Sequence, residues 1–210
     1  MKIGIKSIRP SKIICIGTNY ADHARELNLK VPEEPLIFIN PPSSVIYDGQ
    51  DIVYPRGVTR IDFEAELAVV IKKEGRHIDE AGAPGYILGY TCLNDVTARD
   101  IQSRESQWTR SKSFDTFCPV GPHIETDVDP SGLKVESYLN GDLKQSSTTA
   151  NLLFSVPHLV SFISGIMTLL PGDIISTGTP FGVGPMLPGD RIEVRIEGIG
   201  SLNNAVVKEK

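Results

Sequence analysis

A chain of 210 residues with 40% hydrophobic and 22% charged residues suits a single globular domain, able to bury roughly 70% of its unfolded surface without a disulfide or metal staple. The net charge of −5 and the scattered lysines and arginines argue against nucleic acid as a partner, and no apolar stretch is long enough to cross a membrane as a helix. Cys15, Cys92 and Cys118 are odd in number and far apart, which fits neither a disulfide framework nor a zinc site; with no charged start followed by an apolar core, the cytoplasm is the expected compartment.

Ile3 to Ile16 has strand character broken by Pro10. Asn19 to Leu27 reads as a short helix, Lys30 to Pro35 as a loop, and Leu36 to Ile39 as a strand ended by Pro41-Pro42. From Asp62 to Ile71, Phe63, Ala65, Leu67 and Val69 alternate with Asp62, Glu64, Glu66 and Ala68, the period of a strand. Tyr86 to Leu93 reads as a second strand, and Asp95 to Gln102 has helical spacing. Leu133 to Leu139 and Leu143 to Ser147 flank Asn140-Gly141, a strong hairpin signal because both turn positions need positive φ. Val156, Leu159, Val160, Ile163 and Met167 follow helical spacing behind Ser155 as N-cap. Asp173 to Thr177 and Arg191 to Ile196 are strands, each entered through Pro-Gly-Asp. Many short strands, few helices and no βαβ alternation predict a mainly β, mixed α+β fold in one domain over residues 1–210.

The acidic residues raise the first chemical question. Glu64 and Glu66 are i and i+2 on a strand and share a face with Asp62. Such a face is either solvated or satisfied by a hard cation with oxygen ligands, such as Mg²⁺. Asp95, Arg99 and Gln102 would share one side of a helix: Asp95 as a further oxygen ligand, Arg99 as a bidentate clamp on a substrate carboxylate, or simply an Asp–Arg surface pair. Lys112 can stabilise developing enolate charge or be a surface cation. The loop Thr177 to Gly184 can bring backbone N–H groups and the Thr179 hydroxyl to an anion, but it matches neither a P-loop nor GxGxxG. His23 and Glu26, spaced i and i+3, can form a base dyad that activates water.

The order of these features carries more than any one of them. Gly17-Thr18-Asn19-Tyr20-Ala21-Asp22-His23, Phe63-Glu64-Ala65-Glu66, Gly89-Tyr90-Thr91-Cys92-Leu93-Asn94-Asp95-Val96-Thr97-Ala98-Arg99-Asp100, Lys112-Ser113-Phe114-Asp115 and Thr177-Gly178-Thr179-Pro180 resemble, in sequence order, the motifs of the fumarylacetoacetate hydrolase family. The likeness runs over about residues 14–206, as in the family's short members. It implies a mixed β-roll or sandwich, usually a homodimer. It implies Mg²⁺ or Mn²⁺ on Glu64, Glu66 and Asp95, with substrate bound by Arg99, Gln102, Lys112 and Thr179. It also implies that His23 and Glu26 lie on a lid, within about residues 1–50, that activates water. Asn40 departs from the pattern, since many members have lysine there.

The expected substrate is a small dicarboxylate or 2-oxo acid that chelates the cation. Hydrolysis of a C–C bond in acylpyruvate-like substrates comes first. Decarboxylation or isomerisation, of the oxaloacetate or 2-hydroxyhepta-2,4-diene-1,7-dioate type, is the alternative. A non-enzymatic domain binding acidic ligands is the rival from another class. A glycosidase using Glu64 and Glu66 is disfavoured, because two neighbours on one strand face flank a sugar poorly.

Overall fold

The computed structural model describes residues 1–26 and 30–210. Strands dominate and helices are few, as the patterning predicts. Among the described residues the largest sheet has eight strands. Its order is Lys2–Gly4, Cys118–Glu125, Ile87–Asn94, Ala65–Ile71, Ile174–Ser176, Ile13–Gly17 and Leu36–Asn40, with Val45–Tyr47 also paired to Cys118–Glu125. A five-stranded sheet runs Asp142–Thr148, Lys134–Leu139, Arg191–Ile196, Gly200–Lys208 and Ile52–Tyr54. A small third sheet joins Gly184–Met186, Ile61–Phe63 and Thr97–Ala98.

Leu67 and Val69 of the large sheet meet Val135 and Val194 of the five-stranded sheet, with Leu159 and Val160 of the helix Val156–Ile166. Cys15, Val70, Leu93 and Val120 form a second cluster on the opposite face. Ala65–Ile71 is therefore buried on both faces, and the alternation in its sequence separates two interiors rather than core from solvent. The three cysteines are free and buried. No described helix is long and apolar enough to cross a membrane.

Local signals decide several boundaries. Asn140 and Gly141 take φ of 54° and 90°, the type I′ turn their sequence predicts. Ser155 caps the long helix by accepting the His158 N–H at 3.4 Å. The early helix spans Ala21–Glu26, and the expected end at Leu27 lies outside the described residues. Two expectations need correction. The strand predicted from Asp62 to Ile71 is two strands, Ile61–Phe63 and Ala65–Ile71, broken at Glu64. The helix predicted from Asp95 covers only Arg99–Gln102, because Thr97 and Ala98 pair with Asp62 and Ile61 in a sheet. Tertiary pairing overrides the local spacing there.

Candidate active site

Strand register brings the acids together. Ala65 lies opposite Asn94 in the antiparallel pair of Ala65–Ile71 and Ile87–Asn94, so the start of one strand sits beside the end of the other. The break at Glu64 is pinned from both sides: its N–H donates to Asn94 Oδ1 at 2.9 Å, and its carbonyl accepts the Asp95 N–H at 2.9 Å. Glu64, Glu66 and Asp95, at 5%, 2% and 1% exposure, then present ligand oxygens that all lie within 4.8 Å of one another. This acidic face is not solvated. Three carboxylates gathered out of water form a donor set suited to a divalent cation.

The surrounding cations are already engaged. Lys112 is buried, and its Nζ donates to Glu64 Oε2 at 2.7 Å, to Asp95 Oδ2 at 2.6 Å and to the Asp95 carbonyl at 3.2 Å. Arg99 donates from Nε to Asp62 Oδ2 at 2.9 Å, from Nη2 to Glu64 Oε1 at 2.5 Å and from Nη1 to Gln102 Oε1 at 2.5 Å. Arg60 grips Asp62 through two hydrogen bonds of 2.7 and 2.9 Å. Arg99 thus balances two buried carboxylates rather than standing free as a bidentate clamp. Burial raises the Glu64 carboxyl, but Lys112 and Arg99 outweigh it and hold the group down at about 2. Burial, with Asp95 and Glu64 alongside, pushes Glu66 well up. Asp95 is also raised, by burial foremost and by Glu64. Burial would lower Lys112, yet Asp95 and Glu64 more than reverse this and raise it.

Other side chains fix the carboxylates from behind. Glu66 Oε2 accepts the Gly178 N–H at 2.8 Å and a hydrogen bond from the Ser176 hydroxyl. Asn40 Nδ2 donates to Asp95 Oδ1 at 2.8 Å. Gln145 reaches across from the five-stranded sheet. It accepts the Ala65 N–H at 3.0 Å and donates to Thr179 Oγ1 and the Pro180 carbonyl, each at 2.8 Å. Thr179 donates in turn to the Ala65 carbonyl at 3.0 Å. Its hydroxyl proton is therefore committed to the backbone between the two glutamates.

These groups border a cavity of about 360 Å³ whose floor is the acidic cluster. His23 enters its wall and is 4% exposed. Its Nδ1 lies 2.9 Å from Glu26 Oε2, and Glu26 Oε1 accepts the Gly182 N–H at 3.1 Å, which ties the short helix to the Thr179 loop. Arg99, Gln102, Lys112 and Thr179 also line the cavity. Every sequence-predicted site residue except Glu26 reaches it directly, and Glu26 reaches it through His23. Sequence reasoning missed Gln145 and Ser176, neutral residues distant in the chain with no motif to mark them, and the aromatic wall of Phe38 and Trp108.

Comparison with known proteins agrees with this architecture. A family model described as fumarylacetoacetate (FAA) hydrolase C-terminal matches residues 12–207. The mitochondrial oxaloacetate tautomerase of Rattus norvegicus is 42% identical over 210 residues, spanning 95% of this chain and 67% of that protein. The crystal structure of 5-carboxymethyl-2-hydroxymuconate delta-isomerase from Mycobacterium smegmatis superposes with a TM-score of 0.91 at 46% identity, covering 97% of this chain and 81% of that one. Fumarylpyruvate hydrolase from Pseudomonas aeruginosa, solved in complex with Mn²⁺ and pyruvate, gives a TM-score of 0.93 at 32% identity, covering 100% and 96%.

Proposed function

Because the chain belongs to the fumarylacetoacetate hydrolase family, whose members act on small oxo acids, we propose that it is a divalent-metal-dependent enzyme that enolises such acids. The observation carrying this is the convergence of Glu64, Glu66 and Asp95 within 4.8 Å, in the same cavity as a histidine held by a glutamate. Asp62, Glu64 and Asp95 pair with Lys112, Arg99 and Arg60, whereas Glu66 makes no ion pair with a side chain among the described residues. The donor set fits Mg²⁺ or Mn²⁺.

A divalent cation bound there supplies Lewis-acid polarisation of the substrate's 2-oxo group. The chain's own residues do the rest. Glu26 holds His23 through Nδ1, which leaves Nε2 as the nitrogen able to take a proton from substrate or water. The fixed charges of Lys112 and Arg99 favour the negative charge that develops on the substrate oxygen. Gln102 and the backbone of the Thr179 loop orient the carboxylate.

Returning the proton to the oxygen completes a tautomerisation, and returning it at another carbon of a conjugated chain completes an isomerisation. This outcome is placed first because a tautomerase and an isomerase share 42% and 46% identity with the chain, against 40% and 32% for two hydrolases. Hydrolysis of acylpyruvates is the second reading, favoured by the assembled His23–Glu26 pair, which can activate water. Exchange of the C3 hydrogens of oxaloacetate and other 2-oxo acids with solvent deuterium, followed by NMR with Mg²⁺ or Mn²⁺, tests the common step. Metal-dependent exchange is expected. No exchange across a panel including an acylpyruvate and fumarylpyruvate would sink the proposal, while release of pyruvate together with the matching carboxylic acid from an acylpyruvate or fumarylpyruvate would identify the hydrolase.

A further inference from the structure

A second cavity, of about 520 Å³, shares no lining residue with the acidic one. It lies where the start of the helix Val156–Ile166 meets the strand Ile87–Asn94 and the loop that precedes Lys134–Leu139. Ile87, Leu152 and Val156 form much of its wall. Its volume is that of a small-molecule site, and the chemistry at the carboxylate cluster uses none of it.

Two groups give this cavity a chemical preference. Tyr90 lines it and is 8% exposed, and among the described residues its hydroxyl has no hydrogen-bond partner. Burial, and after it the Asp129 charge, raises this hydroxyl to about 12. It therefore keeps its proton and is a donor without an acceptor, which native interiors rarely leave. The other buried polar side chain of the wall is satisfied: Thr149 Oγ1 accepts the Leu133 N–H at 2.8 Å and donates to the Pro130 carbonyl at 2.5 Å. Asp129, exposed at the rim, is the only lining residue with a charge. Hydrogen bonds from Ser131 hold its carboxyl below the ordinary range, so it is negative at neutral pH and opposes an anion.

The wall is also fastened to the segment that carries His23. Leu152 bridges to Tyr20, and the Leu153 N–H donates to the Asn19 carbonyl at 2.9 Å. The Asn19 side chain brackets Phe154, accepting its N–H at 2.8 Å and donating to its carbonyl at 3.1 Å. Asn19 is buried and leads through Tyr20 into the helix Ala21–Glu26, whose Ala24 N–H donates to the Tyr20 carbonyl at 3.0 Å. Opening either strip breaks the bonds between them, so a contact that holds one also holds the other.

We propose that this cavity is a second ligand site, for an uncharged aromatic or hydrocarbon molecule carrying one hydrogen-bond acceptor, and that its occupant steadies the segment leading to His23. Tyr90 supplies the donor and the apolar wall takes the body of the ligand. A carboxylic acid is disfavoured by Asp129 and by the cost of desolvating its charge, so the site selects against the acids proposed as substrates.

2-Naphthol and 2-naphthoate test it, since they share a ring system and differ in charge. Calorimetry is expected to show 2-naphthol bound, and displaced by 2-naphthoate only with at least about tenfold weaker affinity. Tyr90→Phe should weaken 2-naphthol about 3- to 10-fold, and Asp129→Asn should narrow the gap between the two ligands. Ala150→Trp, at an exposed position on the rim, should abolish binding by filling the mouth, with melting unchanged. At saturation, 2-naphthol should slow hydrogen exchange of the Leu153, Phe154 and Ala24 amides. No binding of 2-naphthol, equal affinity for 2-naphthoate, full affinity in Tyr90→Phe or binding that survives Ala150→Trp would each overturn the site. Slowed exchange that stops at Phe154 would overturn its hold on the His23 helix. None of these outcomes bears on the acidic cluster, whose metal reading stands or falls separately.

Discussion

Among the described residues the His23 ring has one hydrogen-bond partner, Glu26 at 2.9 Å, and that partner is itself held by the Gly182 amide. His23→Ala is expected to lower kcat by about 100-fold or more, the range for loss of a general base. Mn²⁺ affinity by calorimetry should hold, because His23 is outside the carboxylate cluster; loss of both would assign it a structural role. His23 and the three acids are legible in the sequence because their types and spacings are chemically unusual: paired glutamates at i and i+2, and an Asn-Asp run ahead of an arginine. Their supports are not. Ser176 acts through a single hydrogen bond to Glu66, and nothing local in the chain announces a contact made across strands; Asn40, which donates to Asp95, is marked only by its departure from the family's lysine. Arg99 shows the intermediate case, since its place at the site could be read but its engagement with Asp62 and Glu64 could not.

Strands and turns supply the framework. Gln145 joins the five-stranded sheet to the backbone between Glu64 and Glu66 and to the Thr179 loop. Gln145→Leu leaves the buried Ala65 N–H without its acceptor and should cost about 2–3 kcal/mol in urea unfolding. It should also lower activity, and unchanged stability would show that this bridge is dispensable. The turn into Ile174–Ser176 is held by Asp173, which accepts from the N–H groups of Ser11 at 3.0 Å, Lys12 at 3.2 Å and Leu170 at 2.8 Å, and pairs with the Lys12 ammonium. Burial would raise this carboxyl, but the hydrogen bonds from Lys12, Ser11 and Leu170 outweigh it and hold it below the ordinary range. A depressed native pKa gives stability that is complete above the unfolded value of about 3.9 and is lost as pH falls through the lower native one. Asp173→Asn should therefore melt below the wild type at neutral pH, with the gap narrowing below about pH 4; a gap independent of pH would exclude this ionisation as its source. Most strands, the Asn140-Gly141 hairpin and the capped helix Val156–Ile166 could be read locally. The short helix Arg99–Gln102 could not, because pairing of Thr97 and Ala98 with a distant strand replaced the turn that their spacing suggested.

For the molecule as a whole, an ion bound by the native state alone adds stability by mass action. A free concentration about 100 times Kd is worth about 2.7 kcal/mol, or roughly 5–10 °C in Tm for a chain of this size. Calorimetric scans with Mn²⁺ against EDTA should show that difference, and Glu66→Gln should erase most of it; identical melting with and without chelator would contradict metal binding. Folding fidelity and assembly of the carboxylate cluster are also one property in this protein. Ala65 faces Asn94 across a strand pair whose two sides both look into the interior. A slip of one position would turn Glu66 toward Leu159 and Val194 and leave Leu67 facing the cations. A misthreaded copy would have to desolvate an unpaired carboxylate in hydrocarbon, so the same acid proposed as a cation ligand also penalises the wrong alignment.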